Sequence, residues 1–238
     1  MILLPFLALP AISEGTGVES PSQMLVKPLS SLGLSNIQLN YLYTFPAENQ
    51  KKIPSVLYQE ILPHVVKILL VDKSSKKSIS SGSAVAITNQ LLLTNCHILT
   101  KKFNHDEHVI YGKFKNQLQV LKLEASDISS DRCVLSQTNS DLMPVNAIRA
   151  KDSIQIGEAV YSVGNPKNFE GAFSGGMISA IKTHHNGRTI ILSTTALAKG
   201  SSGGALFDAA GNLIGITMAV IKDAPHLGIV IPIQDYLN

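Results

Sequence analysis

Residues 198–206, AKGSSGGAL, have the composition of a loop that could present a nucleophilic serine. Glycine adopts positive φ without steric cost and lets a backbone approach a bound group closely. A serine hydroxyl on such a turn could attack a carbonyl while neighbouring backbone N–H groups stabilise the oxyanion. The same composition is typical of a Gly/Ser-rich surface connection. A general base and an orienting carboxylate elsewhere in the chain would decide between the two.

One histidine and one aspartate lie beside apolar runs that are typical of strands. His97 follows an apolar run and a short polar step, and Asp131 directly precedes the apolar segment CVL. A carboxylate beside an imidazole fixes its tautomer and stabilises the imidazolium that forms during the reaction. Asp127 lies in a softer Ser-rich segment and is interpreted as a turn former. The predicted catalytic set, in chain order, is therefore His97, Asp131 and Ser202.

The composition is that of a folded globular chain and argues against several other classes. Of the 238 residues, 45% are hydrophobic and 16% are charged, with 17 Gly and 11 Pro. The net charge of +3 is small, and no basic stripe with interleaved aromatics indicates nucleic-acid binding. No apolar run of roughly 18 residues follows the N-terminus, so no membrane-spanning helix is expected. His105 and His108 flank two acidic residues without a further ligand, so neither a metal nor a cofactor is predicted.

Three regions can be separated along the chain. Residues 1–17 include a short apolar segment and are interpreted as a signal peptide, although the segment lacks Lys, Arg and a clean cleavage site. An apolar tail on a cytosolic chain is the alternative. Residues 18–52 are rich in Ser, Asn and Pro and are predicted to form a linker or arm. Residues 53–238 are the predicted domain, which begins with a short helix at 55–62.

Twelve short strand-like runs follow, in two sets of six. The first set occupies about residues 64–140 and the second about residues 150–232. Short strands bounded by turn residues at this spacing are typical of an all-β sandwich or barrel. His97 and Asp131 fall in the first set and Ser202 in the second, so a site formed by all three would lie in a cleft between the sets.

Five stretches resemble the chymotrypsin-fold, or trypsin-like, serine peptidases, and most of all their HtrA/Deg branch. In chain order they are GSAVAITNQLLLTNCHIL (82–99), SSDRCVLSQ (129–137), VGNPKNFEGAFSGGMISAI (163–181), TTALAKGSSGGALFDAAGNLIGI (194–216) and LGIVIPIQDYL (227–237). The resemblance implies an all-β fold of two six-stranded antiparallel β-barrels. It places the active site in the cleft between the barrels and a short helix near each end of the domain.

The family's catalytic residues correspond to positions already singled out. Its triad falls on His97, Asp131 and Ser202, and its oxyanion donors fall on the backbone N–H groups of Gly200 and Ser202. The nucleophile is Ser202 rather than Ser201, because the family's reactive serine directly precedes the glycine pair.

Neighbouring positions depart from the family or suggest a specificity. Lys199 stands where the family usually has proline and Ser201 where it has asparagine, but neither change removes a catalytic group. Ala196 corresponds to the base of the primary specificity pocket, with Thr217 and Ala219 as its wall. No acidic residue is available there to pair with Lys or Arg, so cleavage after small or medium apolar residues is expected.

Two cysteines accompany the base and the acid. Cys96 precedes His97, and Cys133 follows Asp131 by two positions. If the base and the acid touch, these cysteines could form a disulfide bridge; two buried free thiols are the alternative.

The resemblance implies a serine endopeptidase that acts on polypeptides in protein quality control or processing. Export to the periplasm or beyond is expected, with a cytoplasmic location as the alternative. Relatives commonly continue into PDZ modules, whereas this chain stops at Asn238, so no PDZ module is expected. A homo-oligomer could form through the N-terminal arm. A catalytically silent binding scaffold, or an enzyme activated only by a partner, are the competing hypotheses.

Overall fold

The computed structural model describes residues 27–37, 40–42, 46–99, 103–114, 117–139, 142–166, 169–183 and 188–237. The predicted signal peptide, residues 1–17, lies outside this part. Two short 3-10 turns, Leu29–Leu32 and Leu34–Asn36, precede strand β1, Asn40–Leu42. Helix α1, Pro54–Ile61, begins at a proline, whose fixed φ and missing N–H suit a first helical turn.

The first barrel contains six antiparallel strands in a closed ring. They are β2 Val65–Asp72, β3 Ser78–Ala86, β4 Leu91–Thr94, β5 His108–Phe114, β6 Gln117–Asp127 and β7 Arg132–Ser136. The order around the ring is β2-β3-β4-β7-β6-β5, and β5 pairs again with β2.

The second barrel follows and is closed by the pairing of its last two strands. Strand β8, Ala147–Arg149, precedes the ring and lies outside it. The six strands of the ring are β9 Ala159–Gly164, β10 Ala172–Thr183, β11 Thr189–Ser193, β12 Ala205–Asp208, β13 Leu213–Ile221 and β14 Ala224–Pro232, and helix α2, Ile233–Leu237, follows them. The ring runs β13-β12-β9-β10-β11-β14 and back to β13. The predicted all-β fold of two six-stranded antiparallel barrels is confirmed. Across the described ranges, no helix has the length and apolar character that crossing a membrane requires.

Two three-residue strands lie outside the twelve that the sequence pattern predicts. Strand β8 pairs in parallel with β13 on one side and with β1 on the other. Both are too short to show a periodic pattern in the sequence. Strand β1 lies in the stretch expected to be a linker or arm, and Leu29 and Leu34 of that stretch are buried in the core. This part of the arm therefore packs on the domain.

The largest apolar cluster lies between the two barrels and keeps them docked. Strand β3 shows how it forms: Ala84 and Ala86 face the interior of the first barrel, whereas Val85 faces the cluster shared with the second barrel. Phe207 of the second barrel and Leu57 of helix α1 belong to the same shared cluster. The second half of β3, residues 82–86, is therefore buried on both faces, which is why that segment consists of small and apolar residues.

A buried charged cluster joins β8 to the rest of the second barrel. Arg149 is fully buried, and its guanidinium lies 3.2 Å from the Glu158 carboxylate and 3.1 Å from the Asp208 carboxylate. Its Nε also donates to Ser153 Oγ at 3.1 Å. Burial raises the pKa of Glu158 above its usual range, although the charge of Arg149 acts in the opposite direction. Two carboxylates inside the barrel thus share one cation.

Candidate active site

The structure places His97 and Asp131 in direct contact at the edge of the first barrel. His97 lies in a 3-10 turn, Cys96–Leu99, that follows β4, and Asp131 lies immediately before β7. One carboxylate oxygen of Asp131 accepts the backbone N–H of His97 at 2.7 Å, and the other lies 2.7 Å from His97 Nδ1. With the Nδ1 proton held by the carboxylate, Nε2 is left as a proton acceptor. The His97 side chain is 47% exposed, so Nε2 is open to a reacting group.

A second layer of polar groups, from distant parts of the chain, supports this pair. Asn95 is fully buried; its Nδ2 donates to the backbone O of Asp131 at 3.2 Å and to the hydroxyl of Tyr236 at 3.1 Å. Its Oδ1 accepts the N–H of Gly203 at 2.7 Å. Burial, together with the charge of Asp131, raises the pKa of Tyr236 well above its usual value, so the phenol stays neutral. Asn95 therefore connects the turn that carries Asp131 to the loop that carries Ser202.

The loop at residues 198–206, which is predicted to carry the nucleophile and is called the nucleophile loop below, is held by backbone hydrogen bonds. The N–H of Ser201 donates to Ala198 O at 2.8 Å, and the N–H of Gly203 donates to Thr217 O at 2.8 Å. Gly200, with φ of 100°, takes the third position of the turn closed by Ser201, where a type II turn requires positive φ. Within the described residues, no hydrogen bond uses the N–H of Gly200 or of Ser202. These are the two donors expected to form the oxyanion hole.

The glycine pair is required because strands of both barrels approach the loop closely. A Cβ atom at Gly203, whose φ is 79°, would lie 2.0 Å from the backbone O of Ser83. A Cβ at Gly204 would lie 2.5 Å from the backbone O of Val163. Any side chain at either position would push the nucleophile loop away from the barrels, so the pair positions Ser202.

The Ser202 hydroxyl is turned away from the base in this structure. Its Oγ donates to the backbone O of Met218 at 2.8 Å, and no hydrogen bond joins it to His97 in the described part of the chain. Catalytic hydrogen bonds are often absent or long in structures without substrate. Rotation of the Ser202 side chain would therefore precede any reaction with His97.

The predicted specificity residues do not all face solvent. Ala196 is exposed and lines a pocket of about 230 Å³, together with Ala198 and residues of β9 and β10. Ala219 is also exposed, but Thr217 is buried and its hydroxyl donates to Ser201 O at 2.7 Å. The assignment of Thr217 to the pocket wall stays a prediction; in the structure its buried side chain supports the nucleophile loop.

Leu197 is a neighbour of the nucleophile that the sequence reasoning did not select. A Cβ atom at Gly228, on β14, would lie 2.6 Å from Cδ1 of Leu197. The leucine side chain thus occupies the space that the glycine leaves open beside the loop. Its position next to Ala196 is the signal that could have identified it.

Cys96 and Cys133 are joined by a disulfide in the structure. The bridge links the residue before His97 to the second residue after Asp131. The bridge therefore crosslinks the two segments that carry His97 and Asp131.

The other candidates from the sequence have structural surroundings. Asp127 caps the turn before Asp131 by accepting the N–H of Ser130 at 3.1 Å, and it pairs with Arg132 at 2.9 Å. His108 Nδ1 accepts a backbone N–H at 3.1 Å. No group of three His, Cys, Asp or Glu side chains in the described ranges is arranged to hold a metal ion.

Two closed antiparallel barrels, with a histidine–aspartate pair on the first and a glycine-bounded serine loop on the second, define the chymotrypsin-like class of fold. Residues 82–216, more than half of the chain, match the family model described as "Trypsin-like peptidase domain". The chain belongs to this family.

The named relatives come from the HtrA/Deg branch. Serine endoprotease DegS of Haemophilus influenzae is 32% identical over 155 residues, covering 61% of this chain and 44% of that protein. Serine protease Do-like HtrB of Bacillus subtilis is 24% identical over 228 residues, covering 84% of this chain and 48% of that protein. The chain therefore spans less than half the length of these curated relatives.

Solved structures of HtrA-type protease AlgW have the same fold. AlgW with a decapeptide superposes with a TM-score of 0.64 at 28% identity, covering 78% of this chain and 66% of that chain. AlgW with a tripeptide superposes with a TM-score of 0.65 at 29% identity, covering 78% and 62% respectively. The predicted resemblance to the HtrA/Deg branch is confirmed.

Proposed function

We propose that the chain is a serine endopeptidase that hydrolyses peptide bonds through Ser202, His97 and Asp131. The observation that carries the proposal is the two-point contact of the Asp131 carboxylate with the backbone N–H and Nδ1 of His97, 2.7 Å each. This contact fixes both the tautomer and the orientation of the imidazole, as a general base requires. The loop that carries Ser202 is tied to the same turn by Asn95.

The reaction begins when the Ser202 hydroxyl rotates from Met218 O towards Nε2 of His97. Oγ attacks the peptide carbonyl carbon while its proton passes to Nε2, and the N–H groups of Gly200 and Ser202 stabilise the oxyanion. Collapse of the tetrahedral intermediate delivers that proton to the departing amine and leaves an acyl-enzyme. Water then attacks the ester by the same route, which releases the acid and regenerates the hydroxyl.

Fluorophosphonate labelling tests the assignment directly. Wild-type protein should be labelled, and Ser202→Ala should lose both labelling and about 10⁶-fold in peptide turnover. Ser201→Ala is the matched control and should still be labelled, because the adjacent hydroxyl is not the nucleophile. Full proteolysis by Ser202→Ala would exclude the triad. Failure of the wild-type protein to label or cleave would favour the silent scaffold.

The hydrogen bond from Ser202 to Met218 O favours one competing hypothesis, an enzyme whose resting site is inactive. If only the serine side chain must rotate, peptide hydrolysis should depend hyperbolically on substrate concentration. A sigmoid dependence, or labelling that requires an added partner, would indicate activation of the site by a ligand.

Cleavage after small or medium apolar residues remains part of the proposal. It is supported by the exposed Ala196 and by the space that Leu197 occupies beside Gly228. Leu197→Ala should raise kcat/KM for peptides with a larger apolar residue at the cleaved bond by about tenfold relative to small ones. The measurement compares matched Ala, Val and Phe peptides, with Ile79→Ala on the first barrel as control. Cleavage mainly after Lys or Arg would contradict the proposal.

Export to an oxidising compartment is proposed on the Cys96–Cys133 bridge, because disulfides persist outside the cytosol. A thiol reagent should modify neither cysteine in denatured, unreduced protein, and two modified thiols would contradict the bridge.

A role in quality control or processing predicts faster digestion of an unfolded model protein than of its folded form. Assembly through the N-terminal arm predicts an oligomer in sedimentation of the full chain.

A further inference from the structure

Ser83 belongs to the first barrel, yet all of its side-chain hydrogen bonds go to the second. It lies on β3 and is fully buried. Its hydroxyl donates to the backbone O of Gly200 at 3.1 Å and accepts from Asn165, through the backbone N–H at 2.8 Å and Nδ2 at 3.3 Å. Its own backbone N–H donates to the O of Ser202 at 2.8 Å. One side chain thus holds two loops of the neighbouring barrel.

The contact with Gly200 fixes one peptide plane of the nucleophile loop from both sides. In the peptide between Gly200 and Ser201, the carbonyl accepts from Ser83 and the N–H donates to Ala198 O. A trans peptide is rigid and its C=O and N–H point in opposite directions, so two such bonds oppose rotation of the plane. Gly200 needs this restraint because glycine has unusually wide backbone freedom.

We propose that Ser83 is a positioning residue that anchors the turn at residues 198–201, and that this turn presents the Gly200 N–H, which belongs to the preceding peptide, to the oxyanion. The inference rests on the proposed peptidase function and names a residue that acts on it through the loop. Without the hydroxyl, the Gly200 carbonyl and the Asn165 N–H lose a partner, and the turn that carries the Gly200 N–H is held only by the bond from the Ser201 N–H to Ala198 O. The donor would then be lost in part of the population of molecules.

Ser83→Ala should therefore lower kcat, counted per titrated active site, by about 10- to 100-fold. KM should stay within about twofold, because the oxyanion contact forms only in the transition state. The inhibition constant of a peptide boronate, which places an oxygen where the oxyanion forms, should rise in parallel with the loss of kcat. The acid limb of the pH profile should not move, because the pair of His97 and Asp131 is untouched.

Two further variants make the test specific. Ser81→Ala, two positions earlier on β3, is the matched control and should keep wild-type kcat. Ser83→Cys keeps a similar side-chain volume but replaces a strong donor by a weak one, and it should lie between Ser83→Ala and wild type. If Ser83→Ala does not fold, Ser83→Cys decides the question.

Wild-type kcat per titrated site in either Ser83 variant would overturn the inference, as would a loss of kcat without a change in boronate binding. These results differ from a failure of the proposed function. That failure would appear as proteolysis by Ser202→Ala, or as a wild-type protein that neither labels nor cleaves. A wild-type enzyme that depends on Ser202 but not on Ser83 would refute the positioning role alone.

Discussion

Asp131 reaches His97 at two points because its own backbone is left-handed. Its φ is 58°, a region that aspartate tolerates better than most residues. The turn sends the Asp131 backbone O to Asn95 and its carboxylate to His97. The backbone of Asp131 thereby holds Asn95, and its side chain holds His97.

The tautomer of His97 should depend on the charge of Asp131. Asp131→Asn supplies an amide that can donate to Nδ1, so Nε2 would carry the proton and could not act as a base. We expect kcat near pH 7 to fall by about 10⁴, the size of the effect in related peptidases. Steady-state peptide hydrolysis measures it, with Asp127→Asn, four residues earlier, as a control that keeps wild-type kcat. Unchanged kcat in Asp131→Asn would contradict the assigned role.

The residue types at the site could be predicted from sequence, but their supports could not. His97, Asp131 and Ser202 each stand beside a recognisable apolar run or glycine pair. Asn95 and Tyr236 work through a hydrogen bond between positions 141 residues apart, which no local pattern encodes. The bond from the Thr217 hydroxyl to Ser201 O was not predicted for the same reason, because it joins positions 16 residues apart.

The turn between β6 and β7 is the element that presents the acid. Asp127 accepts from Ser129 and Ser130 and pairs with Arg132. Partial burial alone would raise the pKa of Asp127, but the hydrogen bonds from Ser130, Arg132 and Ser129 outweigh it and lower the pKa well below the usual carboxyl range. Its negative charge is thus built into the turn.

Removing that charge should weaken the fold in a pH-dependent way. Because the folded pKa of Asp127 is depressed, the stabilisation is complete above the ordinary carboxyl pKa of about 3.9 and is lost as pH falls through the folded value. Asp127→Asn should lower the free energy of unfolding at pH 7 by on the order of 1 kcal/mol. In urea unfolding, the gap to wild type should be constant from pH 5 to 8 and shrink below pH 4. Asp106→Asn, in an exposed loop, is the control, and a gap that grows with acid would contradict the account.

The positions of the strands could be predicted from the sequence where apolar residues recur regularly. Their ends were harder to predict where glycines interrupt the pattern. The eighth of the twelve predicted runs covers residues 177–182, whereas the corresponding strand, β10, begins at Ala172. Gly175 and Gly176 suggest a turn there, yet both are extended. A Cβ at Gly176 would lie 2.6 Å from the backbone N of Thr195, so glycine lets the chain entering the nucleophile loop pass close to the strand.

At the scale of the whole molecule, an apolar cluster holds the two barrels together, and a buried charged cluster lies in the second barrel. Arg149 is fully buried between Glu158 and Asp208. A buried cation shared by two carboxylates adds little net stability, because the cost of desolvating the charges offsets their attraction. Removing the cation, however, leaves two buried carboxylates without a counter-charge. The second barrel should therefore be the part most sensitive to a single charge deletion.

Arg149→Leu should lower the free energy of unfolding at pH 7 by about 3–5 kcal/mol. The loss should be smaller at pH 5, because burial already raises the pKa of Glu158 and a neutral carboxyl needs no counter-charge. Urea unfolding at both pH values measures the difference. Lys151→Leu removes a partly exposed pair with Asp235 and is the control, with an expected loss below about 1 kcal/mol. Equal losses in the two variants would contradict the prediction.

The division of the site between the barrels also orders events during synthesis. The first barrel ends at Ser136 and already contains His97 and Asp131, whereas the serine loop is not made until residue 202. That loop is then shaped against Ser83, a residue made more than a hundred positions earlier. A chain that emerges N-terminus first therefore carries His97 and Asp131 without Ser202, the proposed nucleophile, until its last third is folded and docked. On the proposed mechanism, an unfinished copy has no nucleophile and is not expected to cleave other chains.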